Sequence, residues 1–150
     1  MFLTRLLLSL AAPQLEVCLE EGLSPDCEAR VERVERKTSA LQAQQRLVSS
    51  LTLGGHHQQA SGQADLLMEL PGADVWSLST AADAWYAAEQ WDKAAPAYDA
   101  VGQELAWHET FWEQACARAV ISWAHLDEPE AYEAAITRLA AGPTNAQRPG

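Results

Sequence analysis

From residue 78 onward the chain repeats one device: small residues, mostly alanine, recur at spacings of three and four, with a large ring every turn or two. Leu78, Ala81, Ala82, Trp85 and Ala88 form the first stripe, and Trp91, Ala94, Ala95, Tyr98, Val101 and Leu105 the second. Trp112, Cys116, Ala119, Val120 and Trp123 form a third, and Tyr132, Ala135, Ile136 and Leu139 a fourth. Such spacing places residues on one face of a helix, whereas a strand needs alternation by two, which appears nowhere. Glu89-Gln90 breaks the first stripe from the second. Asp127 and Pro129 open the fourth helix, and Gly142-Pro143 closes it. Pro96 falls within the second helix, in the early turns where its missing N–H costs least. The expected fold is all-α, with two antiparallel helical hairpins over residues 75–142.

The first half is patterned differently. Ser24 is a good N-cap, Pro25 suits the first helical position, and Asp26 with Glu28 places negative charge in the first turn. Cys27, Val31, Val34, Thr38, Leu41, Gln45 and Val48 then recur at alternating fours and threes, a heptad-like seam widened by Leu47 and Leu51. Gly54-Gly55 ends this helix, which unbroken would be roughly 40 Å long. The seam serves either to pack on the C-terminal module, as one helix or as two broken near Lys37-Thr38-Ser39, or to pair with a second copy of the chain. Residues 54–63, with His56-His57 and Gln58-Gln59, show no apolar period and read as a polar connector. Residues 65–70 read as a short helical turn closed by Pro71-Gly72. The organisation expected is a signal-like or apolar segment at 1–12, a helical region at 13–55, and a linker with a short helix at 56–74. The hairpins follow at 75–142, and a disordered tail at 143–150.

Charge narrows the partner. A formal net charge of -11 disfavours nucleic acid, which needs clustered Lys and Arg. Half of the basic residues lie between Arg30 and Arg46, interleaved with Glu32 and Glu35, as on a mixed solvated helix face. Residues 1–12 carry Arg5, an apolar run from Leu6 and the small residues of Ser9-Leu10-Ala11. An export signal and an apolar first helix stopped at Pro13 both fit, so cytoplasmic and exported locations stay open. The run is far short of the ~20 apolar residues that span a bilayer. Of three cysteines, Cys18 and Cys27 are close enough to bridge across the turn at residues 22–25 in an oxidising compartment, or to remain as two half-buried thiols.

Residues 78–101, LSTAADAWYAAEQWDKAAPAYDAV, resemble the tetratricopeptide repeat. Ala82 and Trp85 match the small and large residues of that repeat's first helix. Trp91-Asp92-Lys93-Ala94 matches the entry to its second, and Tyr98 the aromatic that follows. Glu89-Gln90 replaces the small residue of the family's turn, and its closing proline is missing near Ala106. A weaker second unit repeats the charged-alanine entry of Lys93-Ala94 at Glu130-Ala131, slightly later than the family's period would place it, and so carries an insertion. The resemblance implies a non-catalytic module that stacks helix pairs and binds a protein or peptide, with the N-terminal helices or a second subunit as its cap.

Chemistry is hard to find in this sequence. His108-Glu109 lacks the second histidine of a zinc-protease helix, Trp112 standing in its place. His56-His57 has no acidic or cysteine partner at ligand spacing, and Cys116 lies on an apolar stripe, where a buried inert thiol is expected. No phosphate-cradling loop follows Gly54-Gly55. Asp127, Glu128, Glu130 and Glu133 read as an acidic helix start. The sequence therefore leads to no catalytic residue, cofactor or metal. Trp85, Trp91, Trp112 and Trp123 belong to buried stripes, which leaves Trp76 and Trp107, near helix starts, as candidate exposed anchors for a partner. The expected function is a protein-interaction scaffold or adaptor. The competing reading is a structural subunit that oligomerises through its N-terminal helix, exported or not.

Overall fold

The computed structural model describes residues 25–143. All regular structure among them is helical: α1 (Pro25–Leu53), α2 (His57–Glu69), α3 (Val75–Ala87), α4 (Trp91–Glu104), α5 (Glu109–Ala124) and α6 (Pro129–Ala141). The signal-like segment 1–12, Cys18 and the tail beyond residue 143 lie outside the described residues.

Each helix packs on the next in sequence, and α1 reaches past α2 to pack on α3 as well. Short turns force the chain to reverse. Contacts mirrored about the turns show it: Gln44 Nε2 donates to the Gln63 carbonyl at 2.9 Å across the turn after α1. The Tyr98 hydroxyl meets Asp83 across the turn after α3, and Tyr86 meets Trp91 edge-on closer to it. In that second turn Glu89 takes the left-handed conformation, with φ of 59°, where a helix terminus usually has glycine. The amides of Glu89 and Gln90 donate to the carbonyls of Tyr86 and Trp85, satisfying the helix end despite the strained residue.

Alanine decides how closely the helices approach. Nine of the fifteen residues in the main core cluster are alanine, and these permit axis separations toward the lower end of the usual ~8–10 Å. Trp85, Tyr98, Leu67 and Leu105 fill the remaining volume. Cluster members come from α1 through α5, whereas α6 adds one buried residue, Ala135, outside it. The tightest approach joins α4 to α5: a Cβ added to buried Gly102 would stand 3.0 Å from Cys116 Sγ. At the start of α3, Asp74 and Ser77 form a reciprocal capping box, and the buried Ser77 hydroxyl also accepts from Gln45 Nε2 on α1. Gln45 sits in the heptad-like seam because it ties α1 to the cap of α3.

Several expectations change. The polar connector over residues 54–63 is mostly helix: α2 begins at His57 and buries Ala60, Ser61, Ala64 and Leu67. Three small residues make up most of that face, so its apolar period is nearly invisible. Helix α1 is unbroken through Lys37-Thr38-Ser39, and Thr38 keeps its hydroxyl bonded to the Val34 carbonyl. Leu47 does not extend the seam, being 42% exposed. Glu128, not Asp127, is the N-cap of α6, with Pro129 at the first position. Ile136 is exposed because nothing among the described residues packs on the outer side of α6.

Two aspartates, one on α2 and one on α4, each clasp the two helices that follow. Asp65 on α2 accepts from the Trp85 indole at 3.0 Å and from Lys93. Asp99 on α4 accepts from the Trp123 indole at 2.8 Å and from Arg138 at 2.7 Å. In both cases the carboxylate of one helix holds a tryptophan on the next helix and a cation on the helix after that.

Candidate functional site

Helices α1, α3 and α5 each present a face that the core does not use. On α1 this face carries Gln42, Arg46, Ser49 and Leu53, and on α3 Trp76, Thr80, Asp83 and Ala87, the second set standing in the same relative order as the first. Between the two helices runs a groove of about 450 Å³ lined by Gln42, Gln45, Arg46, Ser49, Ser50, Leu53 and Thr80. It adjoins a smaller recess of about 180 Å³ that ends at Asp83.

Polar side chains in the recess are fixed by their own helices. Thr52 and Thr80 donate their hydroxyls to carbonyls four residues back, leaving oxygen lone pairs outward. Asp83 accepts from the Tyr98 hydroxyl at 2.6 Å and from Arg118 Nη1 at 2.6 Å, so one carboxylate joins α3, α4 and α5. The Arg118 guanidinium also lies over the Tyr86 ring, 5.4 Å from its centroid.

Burial, followed by the neighbouring Asp83 charge, pushes the Tyr98 phenol far above its ordinary value. An unfolded phenol releases its proton near pH ~10, while the folded one keeps it. Above that pH the unfolded state binds fewer protons, so this contribution to stability is complete below pH ~10 and is lost as pH rises further. Tyr98→Phe should therefore leave the alkaline absorbance titration of the folded chain unchanged and remove one tyrosinate from that of the urea-unfolded chain. Equal losses in both states would contradict the assignment.

The two tryptophans expected as anchors occur in one aromatic strip. Trp76, in the first turn of α3, is 41% exposed and packs edge-on against Phe111 at 5.3 Å between centroids. Phe111 contacts His108 at 4.7 Å, and His108 contacts Trp107 at 5.4 Å. Trp107 is not a free anchor: it is half-buried and packs on the main core. Phe111, absent from the sequence expectations, is the second exposed ring. Its signal lies in its position, since it stands outside the Trp112–Cys116–Ala119 stripe.

Among the remaining rings, Trp85 and Trp112 are buried, and Trp123 is half-buried against the core. Trp91 departs from its expected core role. It stacks in parallel on His125 at 4.1 Å, joining the turn after α3 to the turn after α5. Cys27 is disulfide-bonded and buried, whereas Cys116 is free and buried, its thiol pushed up by that burial. Cys18, the expected partner of Cys27, lies outside the described residues.

Among the described residues no group of three or more His, Cys, Asp or Glu could hold a metal ion, and no helix is long and apolar enough to cross a membrane. Comparison of the chain with family models, curated proteins and solved structures finds no match.

Proposed function

We propose that the chain is a non-catalytic scaffold of tetratricopeptide-like helix pairs that docks a protein or peptide on the shared face of α1, α3 and α5. One observation carries this reading: Trp76 and Phe111, two large rings, meet across α3 and α5 while both remain open to solvent. Aromatic side chains left exposed at such a junction are the usual anchors of protein interfaces. The spacing of the helices supports it as well. Helices α2 and α4 start at His57 and Trp91, and α3 and α5 at Val75 and Glu109. Both intervals equal the tetratricopeptide period. The second part of α1 pairs with α2 to give a third unit, the usual minimum for such a stack. Helix α6 departs from the period because α5 runs on to Ala124 before the chain turns.

Selection of phage-displayed dodecapeptides against the full chain tests the reading. Enriched peptides should lose affinity about thirtyfold for a Trp76→Ala, Phe111→Ala double variant, as expected for two hot-spot rings. The variant's melting temperature should change little, because both side chains are already open to water. Failure to enrich any peptide, or enrichment of peptides indifferent to both rings, would remove the docking reading.

A further inference from the structure

The distribution of partners among the cations of this chain is uneven. Among the described residues from Leu41 onward there are four Lys and Arg side chains. Lys93 is paired with Asp65, Arg118 with Asp83 and Arg138 with Asp99. Arg46 alone makes no ion pair or hydrogen bond with the described chain, and it lines the groove between α1 and α3. In a protein of net charge -11, the one charged residue lining this groove is thus a cation that no described carboxylate neutralises.

Its neighbours share that character. Gln42, Ser49 and Ser50 line the same groove, and none of their side chains is hydrogen-bonded within the described chain. With Arg46 they supply hydrogen-bond donors along one stripe of α1, spaced one to two turns apart. Asp83, the carboxylate of the adjoining recess, is already bonded to Tyr98 and Arg118. The groove thus offers hydroxyl and amide groups and one full positive charge, with no negative charge among its lining residues. At its end Leu53, 89% exposed, offers an apolar contact.

We infer that the α1–α3 groove takes an extended peptide segment of a partner protein, placing the side-chain carboxylate of a single Asp or Glu on Arg46 and an apolar side chain on Leu53. This rests on the docking reading above and specifies its ligand. The carboxylate belongs to a side chain rather than a chain terminus because donors flank Arg46 on both sides, Gln42 before it and Ser49 and Ser50 after it. A terminus would leave one of these sets idle. A single acid is specified because one cation lines the groove, while the net negative charge of the protein repels a run of acids. A guanidinium–carboxylate pair is planar and bidentate, so lysine is a poorer substitute at that position.

The test uses peptides enriched by the full chain, resynthesised with amidated C-termini. Binding should weaken about tenfold when the selected Asp or Glu becomes Asn or Gln, and about as much when Arg46→Gln is introduced with the peptide unchanged. The two changes together should cost no more than either alone, and Arg46→Lys should recover only part of the loss. Arg46 is exposed, so the variant folds as the parent does. Enriched peptides carrying Lys or Arg in place of the acid, or bound equally well by Arg46→Gln, would overturn the inference while leaving docking intact. A preference for oligo-glutamate over a single acid would overturn it too. Absence of any enriched peptide would overturn both.

Discussion

Replacing Asp99 with leucine should destabilise the chain by about 3 kcal/mol, because it takes the shared acceptor from a partly buried cation and an indole at once. Two groups are left without an acceptor. The Trp123 indole N–H loses a 2.8 Å bond and Arg138 a 2.7 Å one, and the side chains of Arg138 and Asp99 are only 30% and 23% exposed. Water reaches them poorly, so the stranded charge keeps much of its desolvation cost. For a chain of this size that corresponds to a fall in melting temperature of roughly 10 °C. The same substitution at Asp65 should cost much less, about 1 kcal/mol. Its ion pair with Lys93 is 42% and 43% exposed, and little more than the Trp85 indole bond is at stake. Denaturant titrations of the two variants provide the check. Equal losses would mean that burial is not what separates the two clasps.

Gly102→Val should cost about as much by another route, forcing α4 and α5 apart. The first added carbon already stands 3.0 Å from Cys116 Sγ and 4.0 Å from Ala115 Cβ, and two methyl groups beyond it have no room. Overpacking of this kind costs about 1–3 kcal/mol. The upper figure applies here because α4 and α5 share the most extensive helix contact in the chain. Gly102→Ala is the informative companion. It gains up to ~1 kcal/mol of helix propensity and loses a similar amount to the sulfur contact, so its effect should be near zero. Combined with Cys116→Ala, which removes the sulfur, the alanine should become stabilising by a large part of that ~1 kcal/mol. A double-mutant cycle with no coupling would refute the close approach.

The parts of the fold that sequence made legible are those where ring and alanine share a face. The stripes through Trp85, Tyr98 and Trp112 each correspond to a helix, and the heptad-like seam from Cys27 to Val48 corresponds to the least exposed side of α1. Helix α2 was hidden because Ala60, Ser61 and Ala64 give little hydrophobic contrast with Gln58, Gln59 and Gln63 around them. Comparison of the chain with itself would have found it. Ala60, Gly62 and Asp65 precede Ala94, Pro96 and Asp99 by one repeat period, with a helix-disfavouring residue at the same place in both.

For the candidate site, Trp76 was identifiable as a large ring outside every buried stripe. Trp107 looked equivalent, yet it packs on the core from the turn between α4 and α5, a placement that no periodicity reports. The groove was not legible at all, because it depends on two helices separated by α2. The isolation of Arg46 could be recognised only once the partners of Lys93, Arg118 and Arg138 were known. Spacing alone puts Ile136 on a buried line, but α6 has a described neighbour on one side only.

That last point gives the molecule a direction. Helix α6 contributes one buried residue and is held by the Arg138–Asp99 clasp and its packing on α5, whereas α2 to α5 each lie between described neighbours. Among the described helices α6 is therefore expected to open at the lowest free energy, since elements with the least buried surface come loose first. The groove between α1 and α3 lies toward the opposite end of the described helices. A ligand seated there stays gripped while the far end of the stack breathes.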